Sequence, residues 1–327
     1  MRQTYSQEWT AYNQAQRNEK SQFLALLFEL CQNIVEPPQT MGRPRALISD
    51  IIFASCLKMY SGLSGRRNQS DLREALQRGY LSKPLHYNTI SKYLEREELT
   101  PILKQLIIEC SRPLNIVETA FAVDSSGFST GVNQKWSEAK WGNVRTIYGE
   151  KQPNQVNRRD WIKVHLMCGV QTNIVTSVEI THAHAGDSPQ FESLVETTSQ
   201  SFSMFEVSAD KAYSSAKNLQ LVVMKGAKPY IPFRSNAKPN NDSPSVWKRM
   251  FHYFSYNQEA FMSHYHCRSN VETTFSMIKR KFGERLRSKT ETAQRNEVLC
   301  KILAHNLCCV IQSMYELGIE PTFYAEE

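Results

Sequence analysis

Three acidic residues occupy positions from which a divalent metal ion could be held. Asp124 closes an apolar run in "AFAVDSS", Asp210 closes another in "FEVSADKAY", and Glu272 lies in "YHCRSNVETTFSMIKRKFG" between Arg268 and Lys279. Carboxylate oxygens are hard ligands suited to Mg²⁺ or Mn²⁺. Two such ions about 4 Å apart activate an attacking water or 3′-hydroxyl on one side of a phosphorus and stabilise the leaving oxygen on the other. This chemistry requires no cysteine or histidine nucleophile. Taken singly, each aspartate reads equally as a turn or capping residue, and Glu272 as a surface acid paired with Arg268 or Lys279.

The elements around them decide between these readings. The runs "TAFAVDSSGF", "WIKVHLMCGV", "TNIVTSVEIT" and "MFEVSADKAY" predict strands, with a helix in "SPQFESLVETTSQ" before the last. That order predicts an α/β fold, an RNase H-like mixed sheet flanked by helices. Asp124 and Asp210 then stand at strand ends, where open α/β sheets collect ligand chemistry. Tyr265, Arg268, Glu272 and Lys279 fall on one side of a helix at 3.6 residues per turn, next to an apolar stripe of Val271, Phe275, Ile278 and Phe282. Glu272 thereby borders the face that packs on the sheet.

Charge is concentrated beside that helix. The chain of 327 residues carries a formal charge of +7, a weak sign of a polyanionic partner. The run "KRKFGERLRSK" is denser: Lys279, Arg280, Lys281, Arg285, Arg287 and Lys289 against the single acid Glu284. A solvated helix face would explain the charge alone, but next to a metal site it suits a phosphate backbone.

Before the strands, residues 1 to about 20 lack apolar periodicity and are expected to be loose or only docked. "SQFLALLFELCQNIVEPP" predicts a helix, "GRPRALISDIIFASCLKMYSGLSGRRNQSDLREALQRGY" two more (about Ile48–Tyr60 and Asp71–Arg78, the second capped by Ser70), and "HYNTISKYLEREELTPILKQLIIEC" a third, broken near Thr100 and Pro101. Such short helices fit either a DNA-binding region or a support layer. The expected domains are an extension with one helix over 1–40, an all-helical N-terminal domain over 41–116, a catalytic domain over 117–315 and a tail over 316–327. "GRPR" reads as a helix start or a minor-groove hook. Residues 131–160, with Arg145, Lys151, Arg158, Arg159, Trp136 and Trp141, read as an exposed insertion, and 234–246 as a loop.

These residues and spacings are together recognisable. The chain resembles the DDE transposases of bacterial and archaeal insertion sequences, in the broad group containing the IS4 and IS5 families. That group carries Tyr, two residues, Arg, three residues, Glu, six residues, Lys, which Tyr265, Arg268, Glu272 and Lys279 match at every spacing, and the contexts "AVDSSGF" and "SADKAYSS" are similar to its first and second acid blocks. The resemblance spans about Gly42 to Gln312. It implies an RNase H-like core in which Asp124, Asp210 and Glu272 are catalytic and bind Mg²⁺ or Mn²⁺, as two ions. It implies contacts to DNA from Tyr265, Arg268 and Lys279, and an N-terminal helical domain that binds terminal inverted repeats. The implied reaction is cleavage at the element's ends followed by attack of the 3′-hydroxyl on target DNA, in a homo-oligomer assembled on double-stranded DNA. The short interval from Asp210 to Glu272 favours the compact, IS5-like form. An inactive, transposase-derived DNA-binding protein and a metal-dependent nuclease are the alternatives.

The eight cysteines show no knuckle spacing and suit reduced thiols, and no secretory signal or span of roughly 20 apolar residues is evident, so a cytoplasmic protein is expected. His182, His184 and Asp187 in "THAHAGDSP" lack a nearby third ligand for zinc, and Asp187 is expected instead to cap the following helix. Lys163 and His165 alternate on the strand beside that of Asp124, where they could reach the site edge or form a packing or salt link.

Overall fold

The computed structural model describes residues 8–39, 41, 42, 44–130, 161–238 and 243–323. The expected insertion at 131–160, with its arginines, Lys151 and two tryptophans, lies outside the described residues, as does Arg43 of "GRPR".

The N-terminal region consists of helices α1 (Trp9–Gln32), α2 (Ile48–Ser61), α3 (Gln69–Gln77), α4 (Tyr87–Leu94) and α5 (Leu99–Ser111). Helix α1 starts within the stretch expected to be loose. Its first turns are anchored by the small residues Ala11 and Ala15, four apart and both buried, too little apolar surface to register as periodicity. Helix α2 begins at Ile48, so Pro44 is not its first residue. The α4–α5 break falls at 95–98, just ahead of the expected point, and Pro101 sits in the first turn of α5 where no amide partner is lost. Ser70 lies inside α3, behind its N-cap Asn68.

The sheet comprises β1 (Ala120–Ser129), β2 (Trp161–Gly169), β3 (Val175–His182), β4 (Glu206–Ala209) and β5 (Lys228–Tyr230), in the order β3-β2-β1-β4-β5. The first three are antiparallel neighbours, whereas β4 and β5 run parallel to β1. This is the mixed, RNase H-like α/β arrangement. Helix α6 (Phe191–Ser199) leads into β4 and α7 (Ala216–Met224) into β5; α8 (Ser245–Tyr256), α9 (Gln258–Tyr265), α10 (Ser269–Phe282) and α11 (Glu291–Glu316) follow. Strand β5 and helices α7, α8, α9 and α11 were not anticipated. The β2–β3 turn is set by the buried carboxylate of Glu118, which accepts from the Thr172 amide at 2.5 Å and its hydroxyl at 2.7 Å. A Cβ on Gly169 would come within 2.2 Å of that carboxylate, so the close approach requires glycine.

Strand alternation gives the sheet two apolar faces. Phe121, Val123, Met167, Val207 and Ala209 pack with α6 to α9. Ala122, Phe128, Val164 and Leu166 pack on the other face in one core with α10, α11 and the N-terminal helices. Helix α11 is the shared member. It alone among the described helices has the length and apolar composition to cross a bilayer, yet 78% of its apolar window is buried inside the protein. Its buried polar residues are all engaged. Asn296 donates to the Leu94 and Arg96 carbonyls, and Asn306 accepts from the Val175 amide at 2.9 Å. Lys301 and Glu297, each 2% exposed, pair at 3.1 Å. Glu297 also accepts the amides of Arg287 and Ser288, while Lys301 donates to the carbonyls of Gly283 and Arg285. This buried pair thus fixes the loop after α10, whose Leu286 amide donates to Ser129 at 2.9 Å and continues the β1 edge.

Lys301→Met would leave Glu297 buried without its cation. It is expected to lower the unfolding free energy by about 3–5 kcal/mol, read from the urea midpoint, with Glu297→Gln added to Lys301→Met recovering part of the loss.

Candidate active site

The register of β1 and β4 positions the two aspartates. Val123 pairs with Ala209 across the parallel ladder, so Asp124 stands beside Asp210 on backbones about 4.8 Å apart. Asp210 directly follows β4, whereas Asp124 lies midway along β1, which runs on to Ser129, and not at the expected strand end. Asp210 is extended, with φ −66° and ψ 158°, and its Oδ1 accepts from the Lys211 amide at 2.6 Å. Because Val123 and Ala209 face the α6–α9 core, the aspartates following them point to the opposite face, towards α10.

Glu272 lies in the first turn of α10. The expected single helix from Tyr265 to Lys279 is interrupted: α9 ends at Tyr265 and a 3₁₀ turn, His266–Arg268, joins it to α10. The four residues still share one side. Arg268 stands between two acids, with Nη1 donating to Asp124 Oδ2 and Nη2 to Glu272 Oε1, both at 2.5 Å. The Tyr265 ring backs this guanidinium at 5.8 Å. Burial raises the pKa of Asp124, the Ser125 amide and Arg268 oppose that shift, and the negative charges of Asp210 and Glu272 add to it. Among the described residues the site therefore gathers more negative charge than Arg268 offsets, in oxygen donors of the kind that suit a hard divalent cation. With Arg268 in place, the described acids do not close into a ready-made metal cage. The Arg268 guanidinium thus links the β1 acid to the α10 acid.

An open groove runs from Asp124 and Glu272 along α10 to Lys279, Arg280 and Glu284, with Ser126 in its wall. Lys279 donates to Ser126 Oγ at 2.9 Å and lies 5.3 Å from the centre of the Phe128 ring; burial lowers its pKa. Ser126 was not picked out from the sequence, although its place two residues beyond Asp124 puts it on the same strand face. The rest of the basic run divides. Arg280 lines the groove, and Arg285 is exposed at the β1 edge. Lys281 turns away to α1, pairing with Glu19 at 2.5 Å. Arg287 donates to the Leu63 and Gly62 carbonyls, both at 2.9 Å, at the end of α2, where Gly62 adopts φ +65°.

Lys163, His165 and Asp187 meet on the far face of the sheet. Asp187 makes no side-chain capping bond to the following helix, correcting that expectation, and is paired with Lys163 at 2.6 Å. His165 is fully buried, with Nδ1 3.4 Å from Asp187 and Nε2 2.9 Å from Thr181 Oγ1.

The sequence profile of the transposase DDE domain family matches residues 116–307, and this chain belongs to that family. Over 285 residues it is 25% identical to a protein of Archaeoglobus fulgidus named as a probable transposase for insertion sequence element ISA1214, covering 85% of this chain and 80% of that protein. It is also similar to a piggyBac transposase in a synaptic complex with hairpin DNA, at 13% identity and a TM-score of 0.43 over 90% of this chain and 76% of that one. Membership of the DDE family makes the chain a transposase, and enzymes of this family use divalent metal ions.

Burial holds the His165 pKa down at about 4, from an ordinary 6.5. The unfolded ring takes up a proton near pH 6.5 and the folded ring near 4, so the stability tied to this ring is complete above pH 6.5 and is lost as the pH falls towards 4. In thermal unfolding across that window, His165→Gln is expected to show a shallower loss than wild type, by about 1–3 kcal/mol.

Proposed function

We propose that the chain cleaves DNA at insertion-sequence ends and transfers the resulting 3′-hydroxyl ends to target DNA by metal-dependent phosphoryl transfer, with Asp124, Asp210 and Glu272 as the catalytic, metal-holding acids. The observation that carries this reading is the parallel β1–β4 register, which sets Asp124, midway along β1, beside Asp210 at the end of β4 while Arg268 ties Glu272 to Asp124. Bound Mg²⁺ or Mn²⁺, as two ions, would supply Lewis-acid activation of the attacking oxygen and neutralise the leaving one.

The protein's own groups supply positioning. Arg268, facing a phosphate instead of two carboxylates, would release Asp124 Oδ2 and Glu272 Oε1 and retain a bidentate anion partner. Tyr265 supports its guanidinium from behind. Lys279 is held by Ser126 over the Phe128 ring, where its ammonium can take a phosphate oxygen beside the scissile one. Arg280 and Arg285 extend the positive path along the backbone. Arg287, tied to the end of α2, acts as a strut between that path and the N-terminal helices, and Lys281 serves a similar role towards α1. Residues 41–116 form the region that binds terminal inverted repeats, 117–315 the catalytic region, and a homo-oligomer on paired ends in a prokaryotic cytoplasm is the working form. The resemblance of the motifs and the family of the Archaeoglobus relative support these assignments.

The test is cleavage and strand transfer on a duplex carrying the element's own end, with Mg²⁺ or Mn²⁺. Asp124→Asn, Asp210→Asn and Glu272→Gln are each expected to reduce both reactions to background while binding the duplex in EDTA as wild type does, and Lys279→Met to slow cleavage about 100-fold. Wild type that cuts without joining would reassign the chain as a nuclease; wild type that binds and does neither would reassign it as a DNA-binding protein. In end binding measured against salt, Arg280→Ala should flatten the log–log slope by about 1, whereas Arg287→Ala should leave the slope unchanged and lower the thermal midpoint.

A further inference from the structure

Asp124 and its neighbour Ser125 point to opposite faces of β1, and the far face beneath the acids is not apolar throughout. There Asp187 Oδ1 accepts from the Ser125 hydroxyl at 2.8 Å and from Lys163 Nζ at 2.6 Å, with His165 Nδ1 at 3.4 Å. The pairing is dictated by register, since Ser125 lies opposite His165 and Gly127 opposite Lys163. Lys163 also donates to the Ala185 carbonyl at 3.2 Å, holding the loop that carries Asp187 against the sheet. Tyr213 closes the cluster with a buried ring.

Ser125 connects this cluster to the active site. Its amide donates to Asp124 Oδ1 at 2.8 Å, while Oδ2 of the same carboxylate faces Arg268. We propose that Asp187 is a positioning residue for the metal-holding carboxylate of Asp124, acting through Ser125. With the Ser125 hydroxyl fixed from below, the peptide joining residues 124 and 125 cannot rock, and its amide holds Oδ1 so that Oδ2 stays directed into the groove. Lys163 makes this tolerable electrostatically: without it, Asp187 would place a fourth negative charge under three carboxylates. No bond is made or broken by Asp187, and it does not touch substrate. The inference rests on the reading of Asp124 as a metal ligand.

The experiment is titration of the full chain, without DNA, by Mn²⁺ followed through the paramagnetic resonance of the free ion. Wild type is compared with Asp124→Asn, Asp187→Asn, Ser125→Ala, Ser125→Thr and the pair Ser125→Ala/Asp187→Asn. Thermal midpoints and end-duplex binding in EDTA report folding separately. Asp187→Asn and Ser125→Ala are each expected to weaken Mn²⁺ binding about 10-fold, the double variant no more than either alone, and Ser125→Thr to bind as wild type because it keeps the hydroxyl. Wild-type affinity in both single variants, or losses that add in the double, would overturn the proposal. Should Asp187→Asn fail to fold, Ser125→Ala and its threonine counterpart decide the matter, since both retain the Lys163–Asp187 pair. If Asp124→Asn itself leaves Mn²⁺ affinity unchanged, the metal-ligand reading of the site falls first; if it weakens binding and the Ser125 and Asp187 variants do not, the positioning role alone falls.

Discussion

The parallel pairing of β1 with β4 is the constraint on which the rest of the molecule depends. A shift of one residue in either strand would send one aspartate into the α6–α9 core and leave the other facing α10 alone. The register is held by what lies on both faces. Val123, Val207 and Ala209 are fully buried on one side, and on the other Ala122 packs in the core that contains α10 and α11. Neither strand can slip without moving apolar side chains into polar surroundings, so the placement of two charges is secured by hydrophobic burial some distance from them.

The third acid is held by different means. Glu272 is largely exposed, its side chain retaining 58% of its accessible surface, and among the described residues its side-chain partner is Arg268. What is fixed is its helix. Val271, Thr274, Phe275 and Ile278 are buried along α10, and Asn270 donates to the Val170 carbonyl at 2.5 Å, which ties the helix start to the end of β2. The site therefore combines aspartates set by the sheet with an exposed glutamate set by its helix and its arginine.

Much of this was legible in the sequence, and the exceptions have physical causes. Apolar runs ending on Asp124 and Asp210 exposed the strands and their acids, and helical spacing placed Arg268 and Glu272 together. Helix α11 escaped because it is buried on almost every side, so its apolar residues show no single face, and its Asn296, Glu297, Lys301 and Asn306 look like solvent-facing positions although each is engaged inside the core. Strand β5 has three residues, too few for alternation to be seen. Asp187 was misread because an acid before Ser-Pro is a common helix start, whereas its role is set by Ser125 and Lys163, 62 and 24 residues away in sequence. The division of the basic run was likewise invisible, since helical phase alone does not reveal that α1 and the end of α2 lie within reach of Lys281 and Arg287.

Because α11 belongs to one core with the N-terminal helices and the sheet, the chain is not assembled from interchangeable parts. A foreign set of helices α1 to α5 grafted onto this sheet would meet the ridges of α11, the Asn296 contacts at the end of α4 and the Arg287 strut, and would have to match all three. Change is tolerated instead on the outer surfaces of short helices such as α3 and α4, whose inner residues Leu72, Ala75, Ile90 and Leu94 belong to that core.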